Sequence, residues 1–168
     1  WNVTGLEPDI DARKVAKQKH QLDILDAVVL YNLPKKSFSI ITLWHVLEHV
    51  YNLNEDLLQF NKILINGGFI IIAVPNCNSY DAKYYKENWA AYDLPIHLYH
   101  FTKEHINAIA IKTGFTLVKT FPLFYDAFYI SMLSEKKNNG NIFSAIYNGL
   151  KSNIKARKDN NYSSLIYI

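Results

Sequence analysis

The stretch Phe38-Ser-Ile-Ile-Thr-Leu-Trp-His-Val-Leu-Glu-His-Val50 decides the reading of this chain. Ile40 and Ile41 are apolar and β-branched, which suits a buried strand. Thr42, Trp44, His45, Glu48 and His49 follow at once. The segment therefore reads as a strand that ends at a site, because ligands of open parallel sheets gather beyond the carboxyl ends of the strands. Next, Leu53, Leu57, Phe60 and Leu64 mark one helix face, closed by Asn66-Gly67-Gly68. Phe69–Val74 is a continuous apolar strand ended by Pro75. Strand, helix and strand in that order imply a right-handed parallel crossover.

Upstream, Val3–Leu6 is a short apolar segment broken by Glu7-Pro8-Asp9. Ala12, Val15 and Ala16 then recur at helical spacing, with Asp9 or Asp11 as N-cap. Leu22–Leu30 fits strand or helix, and Leu33-Pro34-Lys35-Lys36 is a turn. Downstream, residues 75–101 show no period and are dense in aromatics and histidines, the character of a functional, lid-like segment. Thr102 caps a helix whose Ile106, Ile109 and Ala110 face inward and which Gly114 ends. Phe115–Phe121 alternates as a strand. Residues 124–158 form a helical hairpin insertion. Its first arm carries Phe124, Phe128 and Met132, and its second carries Ile142, Ala145, Ile146, Gly149 and Leu150. Tyr162–Ile168 is a last strand, and residues 1–168 make a single α/β domain.

Composition agrees. The chain has 168 residues, 49% hydrophobic and 20% charged, enough for one sizeable core. A net charge of +3 is too mild to argue for nucleic acid. Cys77 is the only cysteine, so no intrachain disulfide forms and a reducing, cytoplasmic setting is expected. No apolar run reaches the length of a membrane span.

His45, Glu48 and His49 stand at i, i+3 and i+4, spelling the H-x-x-E-H pattern of inverted zinc peptidases. That chemistry needs a long helix and a third ligand. Here a strand runs directly into the motif, and Asn52 and Asn54 follow soon after. A metal-dependent peptidase is thus a distant alternative, and no metal is expected.

Several blocks in order carry a resemblance. Gly5-Leu6-Glu7-Pro8-Asp9 looks like the end of a second strand, Phe38–Val50 like a fourth strand and its turn, and Leu57–Gly68 like the next helix. Phe69–Asn76 looks like a fifth strand, followed by Trp89, Asp93-Leu-Pro-Ile-His-Leu-Tyr-His-Phe-Thr102 and Gly114-Phe115. Together they resemble the class I S-adenosylmethionine-dependent methyltransferases, above all the ubiquinone-biosynthesis-like branch. The resemblance implies a Rossmann-like, mostly parallel sheet of order 3-2-1-4-5-7-6 with an antiparallel last strand. It also implies a first strand and glycine-rich turn that this sequence lacks. We therefore expect an N-terminally truncated piece of a longer enzyme, inactive alone.

The resemblance further implies S-adenosyl-L-methionine as cofactor and a small-molecule methyl acceptor. Glu7, followed by Pro8, would accept hydrogen bonds from the ribose. Leu25 and Asp26 would lie near the adenine, and Leu43, Trp44 and His45 beside the sulfonium end. His97 and His100 would be the catalytic pair, each able to take a proton from an attacking hydroxyl near neutral pH. Ser39 stands where the family commonly has Asp. Some relatives carry Glu at the His45 position, and there the Glu-x-x-Glu-His group has been linked to a divalent metal; His suits Mg²⁺ poorly. A homodimer is compatible with all this. A non-catalytic, methyltransferase-like module that binds a partner through the hairpin is the alternative.

Overall fold

Two separate parallel ladders organise the computed structural model, which describes residues 1–168. The first is short: β1 (Gly5–Leu6) pairs with β2 (Ile24–Leu25), joined by α1 (Ile10–His20). The second is the start of a four-stranded sheet, built from β3 (Phe38–Trp44), β4 (Leu64–Pro75), β5 (Thr120–Pro122) and β6 (Ser164–Tyr167) in the order β3-β4-β6-β5. β3 and β4 run parallel, while β6 is antiparallel to both of its neighbours. The expected order survives in two parts, 3-2 and 4-5-7-6. β1 and β3 share no backbone hydrogen bond, so each has an open edge, and Leu6 and Leu33 attach the first ladder to the main core by packing.

Asp9 caps α1, its Oδ1 accepting from Asp11 N at 2.8 Å and Ala12 N at 2.7 Å. The expected inward face of Ala12, Val15 and Ala16 is not buried, because a ladder of two residues per strand is too small to cover a helix. The segment that fitted strand or helix divides: β2 is followed by a 3₁₀ helix over Ala27–Asn32.

α2 (Leu53–Ile63) buries Leu53, Leu57, Phe60 and Ile63 against the sheet. It ends at Ile63 and not at the glycines. Leu64 is already extended and pairs with Phe38, and the next partners are Ile40 and Phe69. Ser39 thus stands opposite the whole of Ile65–Gly68, a wide bulge. Gly67 adopts φ +76°, and a Cβ on Gly68 would meet Ser39 O at 3.0 Å. The glycines serve the bulge.

The segment 75–101 is built, not loose. It holds α3 (Tyr80–Tyr85) and 3₁₀ turns at Lys86–Asn88 and Ala90–Tyr92. Trp89 within it is fully buried, in a second core with Ala82, Tyr85 and Ile130. Asp81 anchors this core. Its carboxylate, also fully buried, accepts from Trp89 Nε1 at 2.7 Å, Ser152 Oγ at 2.7 Å and Ser163 Oγ at 2.6 Å. Thr102 caps α4 (Lys103–Lys112) as expected, and Gly114 follows it at φ +83°. The expected strand from Phe115 shrinks to β5, because Phe115 and Leu117 pack on the core from irregular backbone.

α5 (Asp126–Lys137) and α6 (Ile142–Ala156) form the hairpin. A Cβ on Gly149 would lie 2.8 Å from Phe128 Cδ1 and 2.9 Å from Phe128 Cα. Backbones this close admit only small side chains, so Ala145, Asn148, Gly149, Ser152 and Ala156 form the inner face of α6. Ile142, Ile146 and Leu150 point outward instead, as does Met132 on α5.

Candidate active site

β3 and β4 run parallel, so their carboxyl ends open on the same side, where a site is expected. A cavity of about 760 Å³ lies there. Its wall includes Pro75 at the end of β4 and His45 just past β3. Glu48, Asp93, His97, Asp126, Lys136 and Lys137 complete the polar part, and Tyr129, Ile130 and Leu133 of α5 supply apolar surface.

His45 leaves the strand at φ +52°, a left-handed turn that swings its ring off the line of β3. Nδ1 lies 3.3 Å from Glu48 Oε1 and Nε2 lies 3.0 Å from Asp126 Oδ2. The carboxylate of Asp126, then that of Glu48, favours the charged ring, and the pKa rises to about 9 against a smaller opposing push from burial. His45 is therefore an imidazolium at neutral pH, clamped between two carboxylates. Glu48 is 1% exposed and its Oε2 has no hydrogen-bond partner.

Leu47–His49 is a single 3₁₀ turn, not a long helix. With both ring nitrogens of His45 facing carboxylates, the H-x-x-E-H trio does not assemble as a ligand set. His97 takes its place. One ligating atom each from Glu48, His49 and His97 lies within 4.8 Å of the others. His49 Nδ1 faces Ile96 O at 3.3 Å and His97 Nδ1 faces Ala91 O at 2.8 Å. A carbonyl only accepts, so Nδ1 donates in each ring and Nε2 is the nitrogen left for other partners. These three side chains lie close enough to share a cation, and the 3.6-residue spacing could not reveal the grouping because His97 arrives from a distant segment.

The two histidines singled out in the sequence separate. His97 lines the cavity. His100 does not; its Nε2 donates to Tyr92 O at 2.9 Å and its ring meets Tyr92 edge-on. Asp126 and Tyr129 reach the site only because the hairpin folds over it, which no local pattern announces.

The remaining residues lie at the other strand ends. Glu7 follows β1 directly, its N–H donating to Leu25 O at 3.0 Å. Its Oε1 accepts from Asp9 N at 2.9 Å, leaving Oε2 uncommitted. Pro8 is exposed, and its carbonyl accepts from Arg13 at 2.8 Å. Leu25 is exposed on β2. Asp26 is engaged at both oxygens, by Arg13 Nη2 at 2.9 Å and by Val28 N at 3.0 Å. Leu43 is buried in the main core, whereas Trp44 is 51% exposed at the end of β3.

A family model described as "Methyltransferase domain" matches residues 1–120. No curated protein matches the chain. Among solved structures, a SAM-dependent methyltransferase of Thermotoga maritima superposes with a TM-score of 0.58 at 20% identity, over 69% of this chain and 55% of that one. The [4+2]-cyclase SpnF superposes with a TM-score of 0.61 at 11% identity, over 99% of this chain and 64% of that one. Phosphoethanolamine N-methyltransferase 2 of Haemonchus contortus, in complex with S-adenosyl-L-methionine, gives 0.55 at 16% identity, over 98% of this chain and 42% of that one. The likeness is one of Rossmann-like fold, and this chain spans about half the length of the first of these structures.

Proposed function

Because the chain belongs to the methyltransferase-domain family, we propose that it serves S-adenosylmethionine-dependent methyl transfer to a small-molecule acceptor. The acceptor would occupy the cavity that His45, Glu48, His97 and Asp126 surround at the carboxyl ends of β3 and β4, and this cavity is the observation that carries the reading. The ubiquinone-biosynthesis-like branch remains the nearest reading of the sequence blocks.

When bound, the cofactor supplies a methyl group on a sulfonium, already a good leaving group. The protein's share is to bind, align and exclude water. Glu7 fits the ribose role: one carboxylate oxygen is fixed by Asp9 N–H and the other is free to accept from hydroxyls. Trp44 offers an exposed indole face to a cation. Asp26 fits the adenine role less well, since Arg13 and Val28 already use both oxygens.

His97 is the group placed to move a proton. Its Nδ1–H is fixed on Ala91 O, so Nε2 is the base, and it would take the proton of an attacking hydroxyl or amine in the cavity. His100 holds Tyr92 O and so supports the same segment from behind. His45 keeps a positive charge beside the acceptor and fixes α5 over it through Asp126.

Calorimetric titration with S-adenosylmethionine tests the reading, on residues 1–168 and on a longer chain that supplies a glycine-rich turn. Binding by the longer chain that weakens with Glu7→Ala supports it. No binding by either chain would leave a fold without the activity, as a partner-binding module.

A further inference from the structure

The outer face of α6 is built the wrong way round for a helix exposed to water. Its small residues face the protein, and its large apolar residues face out. Ile142, Phe143, Ile146, Tyr147, Leu150 and Ile154 all lie on the outer side, with Phe143 80% and Tyr147 61% exposed. At 100° per residue these six fall within one arc, opposite the buried Ala145, Asn148, Gly149, Ser152 and Ala156. Met132 of α5 is exposed on the same hairpin.

From the end of α5 to just past α6 charge is equally one-sided, although Lys136 and Lys137 line the acceptor cavity. Between Glu135 and Asp159 the chain has no acidic residue and six basic ones: Lys136, Lys137, Lys151, Lys155, Arg157 and Lys158. The whole chain has 18 basic and 15 acidic residues, so everything outside the hairpin stretch nets negative. Lys155, Arg157 and Lys158 are exposed at the end of the apolar stripe. Lys stems lie along apolar surface while their ammonium groups reach polar surroundings.

We propose that the α5–α6 hairpin docks on an anionic lipid surface, with the outer face of α6 sunk into the headgroup boundary and the basic cluster on the phosphates. Bulky apolar residues on one face with flanking cations are what an interfacial helix requires. None of the six stripe residues lines the acceptor cavity, so the face is separate from it. No helix is long and apolar enough to cross a membrane.

Flotation with vesicles of phosphatidylcholine, with and without phosphatidylglycerol, tests this independently of methyl transfer. Binding is expected only with phosphatidylglycerol and should fade as salt screens the charges. Phe143→Ser with Leu150→Ser, and separately Lys155→Glu with Lys158→Glu, should each weaken it by about tenfold or more. All four positions are exposed, and circular dichroism verifies that the variants fold. Absence of vesicle binding by the unaltered chain overturns the proposal, as does binding that both double variants retain. A dimer by light scattering that Leu150→Asp dissolves, without vesicle binding, would assign the face to a second copy. Equal retention on soluble polyglutamate, indifferent to the Phe143/Leu150 variant, would reduce the face to a charge patch for acidic protein; either result overturns the lipid assignment.

Discussion

His45 Nε2 lies 3.0 Å from Asp126 Oδ2, and this contact joins the end of β3 to the first turn of the hairpin. Residues far apart in sequence thereby fix the roof of the cavity over its floor. Glu48, from beneath, holds the other nitrogen of the same ring.

The first prediction follows from that clamp. The folded-state pKa of His45 is raised to about 9 from an ordinary 6.5. Its contribution to stability is therefore complete below pH 6.5 and is lost as pH rises through 9. Thermal melts should show a falling midpoint across that window. The side chain is 40% exposed, so solvent screening keeps the effect modest. Asp126→Asn should flatten the slope; a variant with the same pH dependence as the parent would remove His45 as its source.

Much of this architecture is legible in the sequence, for identifiable reasons. β3, α2, β4 and the Thr102 cap rest on local periodicity and capping chemistry, and each appears. The glycines at 67 and 68 mislead, because Gly marks both helix ends and bulges, and only strand register separates the two. Which hairpin face turns inward is not legible in the sequence, because close helix approach at Gly149 selects small residues inside. In the site, His45 and Glu48 share a turn and can be read together. The roles of Asp126 and His97 depend on tertiary packing, which periodicity does not carry.

Glu7→Ala should weaken S-adenosylmethionine binding by about 1–3 kcal/mol, the cost of losing hydrogen bonds to a charged acceptor. Folding should change little, because Glu7 makes one local side-chain hydrogen bond, to Asp9 N. Calorimetry on a chain that binds the cofactor decides it. An unchanged dissociation constant would rule out the ribose role.

His97→Ala should lower turnover more than cofactor affinity, because His97 lines the acceptor cavity and not the end of β1. General-base contributions are typically 10²–10⁴-fold, so a loss of about a hundredfold or more in kcat is expected. His97→Gln keeps a donor for Ala91 O but offers no comparable base. Full activity in the Gln variant would reduce His97 to a tie between backbone segments.

The last prediction concerns Asp81, the anchor of the second core. Three donors converge on its fully buried carboxylate: Trp89 Nε1, Ser152 Oγ and Ser163 Oγ, from three separate parts of the chain. Ser152 belongs to α6 and Ser163 directly precedes β6, so the carboxylate ties the hairpin and the sheet to the segment around Trp89. Asp81→Ala would leave those donors buried and unpaired, at about 1–3 kcal/mol for each that water does not reach. It would also open a void beneath Trp89. The loss of a buried charge offsets part of this, so the net destabilisation should be about 2–5 kcal/mol. Asp81→Asn keeps the volume and one acceptor oxygen and should cost less. Denaturant titration followed by tryptophan fluorescence reports on the site directly, since Trp89 is the buried indole. If Asp81→Ala unfolds at the same denaturant midpoint as the parent, the carboxylate does not anchor the hairpin.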